Sequence, residues 1–341
     1  REKISVFIDH DIIFRNFIFT PAFKDLESKF DVEYVFPEKN NKRFTLNPER
    51  YLNKNKIKRV KEISQRKKYW RYLLFLSVMK PSLDQRLRNL RNFRIFTLGK
   101  KASFIFILLS MPLLRQTITF ILKKYLLKSR YLDLDNYFNE AKPNYVVHPT
   151  VLDGIYCNEL VIFSKKYNFK TIYIINSWDN TSTKNLLVNL PDFLFVWGQQ
   201  TKKEAINFMG MEQKKVKIFG VNQFESIKKI QRNKLTKQNF NKFKNKILFA
   251  GSNAYVNEFD CLSEFEKLCI NGKNSFRITY RPHPWSTGGY NGYRFNLKKW
   301  SKIQIDKSLK TYLGSFSSSS KITEKINLPK QEDTYFTLSK V

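Results

Sequence analysis

Short apolar runs alternate with segments of helical periodicity at the start of the chain. The pattern predicts a strand at residues 3–8, a helix at 12–19 and a second strand at 32–36. Asp9 and His10 separate the first strand from the helix. This order is typical of a parallel α/β unit, in which polar residues after a strand lie at the carboxyl edge of the sheet. We therefore expect Asp9 and His10 at that edge.

The same alternation resumes near residue 143 and continues to about residue 220. It predicts βαβ units with a parallel sheet. His148 follows one predicted strand, and Ser177-Trp178-Asp179-Asn180 follows the next. The predicted strands are residues 145–147, 171–176, 193–196 and 216–219, and the predicted helices are residues 152–167 and 201–208.

Residues 246–285 repeat this order and carry the most distinctive polar residues. After the first predicted strand comes a turn of small residues, Gly251, Ser252 and Asn253. Backbone N–H groups of such a turn, beside a helix start, suit a phosphate. The predicted strands are residues 247–250 and 276–280, the predicted helix is residues 258–269, and residues 303–306 are a further candidate strand.

Arg281-Pro282-His283-Pro284-Trp285 follows the second of these strands. The two prolines stiffen the backbone around His283, so its ring is expected to point in one direction. It is therefore a candidate donor to a diphosphate, with Arg281 adding a positive charge. A surface ion pair is the alternative role for Arg281.

The chain has 341 residues, of which 42% are hydrophobic, and this length predicts two domains. We place an N-terminal acceptor-side domain at residues 1–225, with a basic and apolar insertion at about 50–130. A polar linker at 226–245 precedes a C-terminal nucleotide-binding domain at 246–341. Because the chain begins at Arg1 without Met and its strand pattern fades before a second sheet is complete, we expect a fragment with an incomplete C-terminal domain.

The formal net charge is +33, which first suggests a nucleic-acid partner. Only 17 of the 62 basic residues are Arg, however, and Arg is the residue favoured for base readout and bidentate phosphate contacts. We therefore expect no nucleic acid and favour an anionic membrane surface or an acidic ligand. Cys157, Cys261 and Cys269 lack metal-ligand spacing, and we expect neither a metal nor a cofactor.

Residues 54–101 contain sixteen Lys or Arg with aromatic residues between them. The apolar run at 102–114 is too short to span a bilayer, which needs about 20 residues. Together with the apolar residues 118–122 it predicts two helices lying in the plane of an anionic membrane. A solvated helical face and a buried hairpin are the alternatives. The favoured interpretation predicts a cytoplasmic protein, peripheral on the inner face of the cell membrane.

A transfer reaction needs a base for the acceptor hydroxyl, and Asp9 is our first candidate, with His10 as its alternative. The competing hypothesis is that Asp9 and Asp11 cap the helix that follows. For acceptor or sugar binding, Trp178 can stack and Asp179 can accept hydrogen bonds, unless both belong to a helix cap.

His148 is a further candidate for acceptor binding, because it follows a predicted strand, although a lone histidine is more often structural. The sequence contains no P-loop, HExxH, nucleophile elbow or GxGxxG after a strand. These absences argue against an ATPase, a zinc hydrolase, a serine hydrolase and an ordinary dehydrogenase.

Four segments occur in an order found in one group of enzymes. The chain resembles GT-B-type glycosyltransferases of bacterial surface-carbohydrate synthesis, and it is similar to the wider group that contains CDP-glycerol glycerophosphotransferases and capsule polysialyltransferases. The segments are Ser177-Trp178-Asp179-Asn180, Pro191-Asp192 to Trp197-Gly198, Lys217 to Gly220 followed by Phe224, and Tyr280-Arg281-Pro282-His283-Pro284.

The resemblance implies two Rossmann-like domains facing a cleft. It implies that His283 and Pro284 contact the donor phosphates and that Ser252 and Asn253 border the donor. It also places the base directly after the first strand. The group carries a Ser/Thr pair on a later strand end, and this sequence has no match for it, in keeping with the expected truncation.

We therefore predict a metal-independent GT-B glycosyltransferase. It would move a sugar or polyol phosphate from a nucleotide-sugar or CDP-activated donor to a cell-envelope glycan or lipid-linked acceptor. A nucleotide-sugar epimerase, which shares the two-domain shape, is the alternative enzyme. A basic membrane- or RNA-binding protein is the alternative without catalysis.

Overall fold

The computed structural model describes most of the first two thirds of the chain and shorter parts of the rest. The chain divides into two compact units, Arg1–Gln223 and Phe224–Val341. The predicted linker at residues 226–245 lies entirely outside the described residues. The described residues are 1–39, 41, 43–78, 88–89, 91–92, 104, 108, 111–152, 156–184, 187–224, 246–251, 258–271, 276–281 and 301–305.

Parallel strands form the sheet of the first unit. They are β1 (Lys3–Phe7), β2 (Asp31–Pro37), β3 (Ile57–Val60), β4 (Tyr145–Thr150), β5 (Lys170–Ile175), β6 (Phe193–Val196) and β7 (Val216–Ile218). Their order is β3-β2-β1-β4-β5-β6-β7, and every neighbouring pair is parallel. The chain therefore adds strands on one side of β1 and then, from β4 onward, on the other.

Helices cover both faces of this sheet. The helices are α1 (Asp11–Ile18), α2 (Lys24–Lys29), α3 (Ser64–Val78), α4 (Pro112–Lys128), α5 (Leu132–Ala141), α6 (Cys157–Tyr167) and α7 (Gln199–Met209). Phe7 of β1 packs in a core cluster with residues of α5 and α6, whereas Val6 and Ile8 pack in another with residues of α1. Successive residues of β1 thus face opposite helical layers, which explains its nearly continuous apolar sequence.

Short helical turns complete the first unit and the start of the second. Turns of the 3₁₀ type lie at Pro21–Phe23, Pro48–Arg50, Lys54–Lys56, Gln213–Lys215 and Asn222–Phe224, and a π-helical turn lies at Asn180–Lys184.

Two strands differ from the prediction. β3 lies within the basic residues 54–101 and pairs only with β2, so it is an edge strand. Its polar residues explain why the apolar pattern did not predict it. β4 runs through His148 and Pro149 to Thr150, so placing His148 at a strand end was wrong. Pro149 is tolerated because the ladder between β4 and β1 has already ended at Val147.

The predicted pair of membrane helices also needs correction. Pro112, near the end of the apolar run 102–114, begins α4 at a position that proline favours. The apolar residues 118–122 belong to the same helix, and most of residues 102–110 lie outside the described residues. None of the helices within the described ranges is both long and apolar enough to cross a bilayer.

A buried ion pair fixes α3 and α4 to the rest of the first unit. Arg66 of α3 donates to both carboxylate oxygens of Glu159 on α6, each at 2.7 Å. It also donates to the carbonyl oxygen of Leu126 near the end of α4. Trp70 donates to the same carboxylate at 2.7 Å. Arg66 and Trp70 are therefore interior residues and not part of a charged surface.

The second unit repeats the parallel α/β pattern on a smaller scale. Its described elements are β8 (Lys246–Ala250), α8 (Glu258–Asn271), β9 (Arg277–Arg281) and β10 (Ile303–Ile305), with sheet order β10-β9-β8. Leu262 of α8 packs on Ile278 and Tyr280 of β9. The hydroxyl of Tyr280 donates to Glu258, which ties the start of α8 to the sheet. The predicted parallel α/β class is confirmed in both units.

Candidate functional site

The strand order of the first unit places Asp9 and His10 where open parallel sheets bind their ligands. Such ligands lie outside the carboxyl ends of the strands, at the point where the strand order reverses. Here the reversal falls between β1 and β4, and Asp9 and His10 directly follow β1. Asp9 exposes only 2% of its surface, whereas His10 is half-buried and is the more accessible of the two.

His10 is the N-cap of α1, and this fixes its tautomer. Its Nδ1 accepts a hydrogen bond from the backbone N–H of Ile12 at 3.1 Å. Because Nδ1 accepts, the proton of the neutral ring must lie on Nε2. Burial lowers the pKa of His10 below its usual 6.5, and the charge of Arg43 adds to this while Asp9 opposes it. The neutral ring therefore offers an N–H donor at Nε2, while the lone pair of Nδ1 already accepts from Ile12.

Asp11 holds the loop that follows β2 against the start of α1. Its carboxylate accepts from the backbone N–H and the hydroxyl of Thr45, at 2.9 and 2.6 Å, and from the N–H of Leu46 at 3.1 Å. The hypothesis that Asp9 and Asp11 cap α1 is therefore wrong in its choice of residue, since His10 supplies the cap. The apolar pattern of the sequence does not show which of the polar residues beside the helix will cap it.

His148 lies within the core and not on an accessible edge. It is fully buried, and its Nδ1 donates to the carbonyl oxygen of Phe7 at 2.9 Å. Its Nε2 lies 3.5 Å from the Sγ of Cys157. Burial lowers the pKa of His148, and the charge of Asp9 partly offsets this. The hydrogen bond to Phe7 joins β4 to the end of β1. Because His148 is fully buried, a direct contact with an acceptor is not favoured.

The loop after β5 presents Trp178 to solvent on a rigid support. Asn180 is buried, and its Oδ1 accepts the backbone N–H groups of Asn176 and Ser177, at 3.1 and 2.8 Å. Thr181 donates to Glu204 of α7 at 2.6 Å. The loop is therefore fixed at both ends, while Trp178 exposes 58% of its surface. Asp179 lies beside it and is half-buried, so both predicted residues are close to the carboxyl edge.

A network of amide side chains at this edge was not anticipated from the sequence. Asn16 of α1 donates to the Oδ1 of Asn176 at 2.8 Å and to the Oε1 of Gln223 at 2.7 Å. Asn222 donates to the backbone carbonyl of Asn16 and also contacts Thr20. The network joins α1, the loop after β5 and the last residues of the first unit. The only sequence signal was an asparagine inside the apolar face of a predicted helix.

The carboxyl edge of the second unit brings Gly251 and Arg281 together. Ala250 of β8 and Arg281 of β9 are register partners, and the N–H of Gly251 donates to the carbonyl oxygen of Arg281 at 2.7 Å. This particular N–H is therefore engaged by the protein and is not available to a phosphate, which corrects the role predicted for Gly251. Ser252, Asn253, His283 and Pro284 lie outside the described residues.

The described residues form no metal centre. No cluster among them contains three or more His, Cys, Asp or Glu side chains close enough to hold a metal ion. What the described edges do offer is a buried carboxylate, an imidazole N–H donor, an exposed indole and a guanidinium. These groups suit proton transfer, hydrogen bonding, stacking and phosphate binding.

No protein-family model matches the sequence, and the comparison with curated proteins found no match. UDP-N-acetylglucosamine 2-epimerase from Rickettsia bellii is 11% identical, with a TM-score of 0.43, over 92% of this chain and 72% of that one. The structure of S. aureus MnaA with UDP is 10% identical, with a TM-score of 0.45 and the same coverage.

A third similar structure is the lipopolysaccharide outer core galactosyltransferase WaaB in its apo form. It is 12% identical, with a TM-score of 0.40, over 82% of this chain, which spans 60% of that enzyme. Similarities of this size carry no weight for function.

Proposed function

We propose that this protein transfers a sugar or polyol phosphate from a nucleotide-activated donor to a cell-envelope glycan or a lipid-linked acceptor. One observation carries the proposal: the two parallel sheets present unlike chemistry at their carboxyl edges. Asp9 and His10 lie at the reversal point of the first sheet, and Arg281 lies at the edge of the second. A transferase needs both a base and a partner for the donor phosphates.

Arg281 supports the assignment of the donor side to the second unit. A guanidinium binds phosphate oxygens through charge-assisted hydrogen bonds. Without a metal, it neutralises charge on the leaving nucleotide, which is a diphosphate after sugar transfer and CMP after transfer of a polyol phosphate. The resemblance adds Ser252, Asn253, His283 and Pro284 to this side as further proposed contacts. Gly251 takes a structural part, since its N–H joins the ends of the two strands.

Asp9 is the proposed base of the acceptor side. A carboxylate can take a proton from a hydroxyl, whereas neutral His10 presents an N–H donor at its free nitrogen. His10 is therefore proposed to hold the acceptor by a hydrogen bond. Trp178 is proposed to stack on an acceptor sugar and Asp179 to accept from its hydroxyls. A lipid-linked acceptor would place the enzyme on the inner face of the cell membrane.

The test is whether donor consumption requires an acceptor. The full chain is incubated in deuterated water with UDP-N-acetylglucosamine, UDP-glucose or CDP-glycerol, with and without a membrane-lipid extract, and followed by proton NMR. The proposal predicts release of the nucleotide only when the extract is present. Deuterium incorporation into the sugar of an unconsumed donor without the extract would instead identify an epimerase. A donor unchanged in every mixture, with no heat of binding for UDP or CDP, would reject both enzymes.

A further inference from the structure

The outward face of α4 carries two rows of exposed apolar side chains. Leu113, Phe120 and Leu127 expose 81%, 65% and 65% of their surfaces. They follow one another at intervals of seven residues, which is close to two helical turns, so they form one row along the helix. Leu114 and Ile121 have the same spacing, are also exposed, and form the second row.

The opposite face of α4 already has its partner within the protein. Leu126 is buried in an apolar cluster with Trp70 and Leu73 of α3, and Leu122 packs beside them. The helix is therefore apolar on two sides, although the side that packs on α3 is enough to attach it to the first unit. A helix that packs on one face and exposes a second apolar face indicates an external partner.

The charges on α4 indicate which partner this is. The helix carries Arg115, Lys123, Lys124 and Lys128 and no acidic residue. At 100° per residue, Lys124 and Lys128 fall between the two apolar rows. The Nζ of Lys124 lies 5.8 Å from the centroid of the Phe120 ring. A shallow groove of about 440 Å³ follows this face, lined by Phe120, Ile121, Lys124, Tyr125, Lys128 and Ser129.

We propose that the outward face of α4 binds the surface of an anionic phospholipid bilayer, with the helix axis in the membrane plane. The apolar rows enter the boundary between headgroups and acyl chains, and Lys124 and Lys128 contact lipid phosphates. A second copy of the chain would oppose like charges, since α4 has no acidic residue to pair with them. The surface would serve a lipid-linked acceptor, and only in that respect does it rest on the proposed function.

Vesicle flotation of the full chain tests this surface. We expect binding to vesicles of phosphatidylcholine with phosphatidylglycerol and little binding to phosphatidylcholine alone. Phe120→Asn with Leu127→Asn should weaken vesicle affinity at least tenfold, because two apolar side chains leave the interface. Lys124→Gln with Lys128→Gln should weaken it roughly 30-fold, since each lysine near an anionic surface contributes about fivefold.

A matched control uses apolar residues that are equally exposed elsewhere. Leu268 and Ile270 of α8 expose 65% and 58% of their surfaces, so Leu268→Asn with Ile270→Asn should leave vesicle affinity unchanged. The inference is overturned if both α4 variants bind vesicles as the parent does, if neutral vesicles bind equally well, or if the control variant loses binding. A dimer that the Phe120 and Leu127 changes convert to a monomer in sedimentation would also overturn it, in favour of a second copy as the occupant.

The nucleotide response separates this inference from the proposed function. Thermal stabilisation by UDP or CDP should be the same in the α4 variants and in the parent chain. Vesicle binding with no nucleotide response in any variant would leave the membrane surface standing and reject the transferase. A nucleotide response with no vesicle binding by the parent chain would leave the transferase standing and reject the membrane surface.

Discussion

The carboxyl edges of the two sheets present different side chains. At the first, His10 lies among mixed charges, since the carboxylates of Asp9 and Asp11 and the guanidinium groups of Arg15 and Arg43 all act on its ring. At the second, the strand ends bring Gly251 beside Arg281, whose guanidinium is the proposed partner of the donor phosphates. The start of a helix at the edge of a parallel sheet favours anions only where the neighbouring side chains permit it. Topology alone therefore does not assign a ligand, and we assign acceptor activation to the first edge and donor phosphates to the second.

The largest expected effect comes from removing the carboxylate of the first edge. Asp9→Asn should reduce turnover by about 10²- to 10⁴-fold, because general base catalysis contributes that much. The affinity for UDP or CDP should remain within about twofold, since the donor is assigned to the other unit. Initial rates of donor consumption with the acceptor extract, together with calorimetric titration of the nucleotide, measure both quantities.

His10→Asn is the matched control for this prediction. Asparagine is a good N-cap acceptor and also provides an N–H donor, so it retains both roles that the structure gives His10. We expect less than a tenfold loss of turnover. Near-normal turnover in Asp9→Asn with a large loss in His10→Asn would make His10 the base and contradict the assignment.

Removing the guanidinium of the second edge should have the next largest effect. Arg281→Gln should weaken the affinity for UDP or CDP about 10- to 100-fold, because a hydrogen bond to a charged group contributes roughly 1.5–3 kcal/mol. Arg277→Gln removes the same charge at the opposite end of β9 and should change the affinity little. Equal losses in the two variants would show that only the overall charge matters.

The amide network of the first edge predicts a moderate loss of stability. Asn16→Ala removes the hydrogen bonds to Asn176 and Gln223, and the loss of bonds to groups at a largely buried edge costs about 1–3 kcal/mol. Asn139→Ala, at an exposed position of α5, should change the free energy of unfolding much less. Urea unfolding of both variants measures the difference, and equal stabilities would mean that water replaces the network at no cost.

The smallest expected effect is a pH dependence of stability. Burial lowers the pKa of His10 and of His148 below the usual 6.5, so the unfolded chain binds protons first as the pH falls. Stability therefore decreases below about pH 6.5, by at most about 1.4 kcal/mol per pH unit for each histidine. His148→Asn can still donate to Phe7 and should flatten this slope. An unchanged slope, measured by urea unfolding between pH 5.5 and 7.5, would exclude His148 as its source.

The sequence predicted the regular elements better than it predicted their arrangement. Apolar period alone located β6 at residues 193–196 and the start of α8 at Glu258, because both are bounded by clear changes of pattern. It missed β3, whose Ile-Lys-Arg-Val sequence is that of a half-exposed edge strand. It also ended β4 too early, at Val147 instead of Thr150, and so it misjudged His148.

The candidate site could be predicted only as separate pieces. The sequence placed Asp9 and His10 after a strand, but the reversal between β1 and β4 depends on pairing between residues about 140 positions apart. Likewise, nothing in the sequence near Asn16 shows that Asn176 and Gln223 will be its partners. The tautomer of His10 follows from one hydrogen bond to Ile12, which no residue pattern specifies.

Photolabelling tests the assignment of donor phosphates most directly. The full chain is irradiated with 5-azido-UDP, with and without excess UDP, and the labelled peptides are identified by mass spectrometry. We predict label that UDP displaces within the second unit, in peptides next to Gly251 or Arg281. Displaceable label confined to peptides that follow β1 or β5 in the first unit would contradict the central claim.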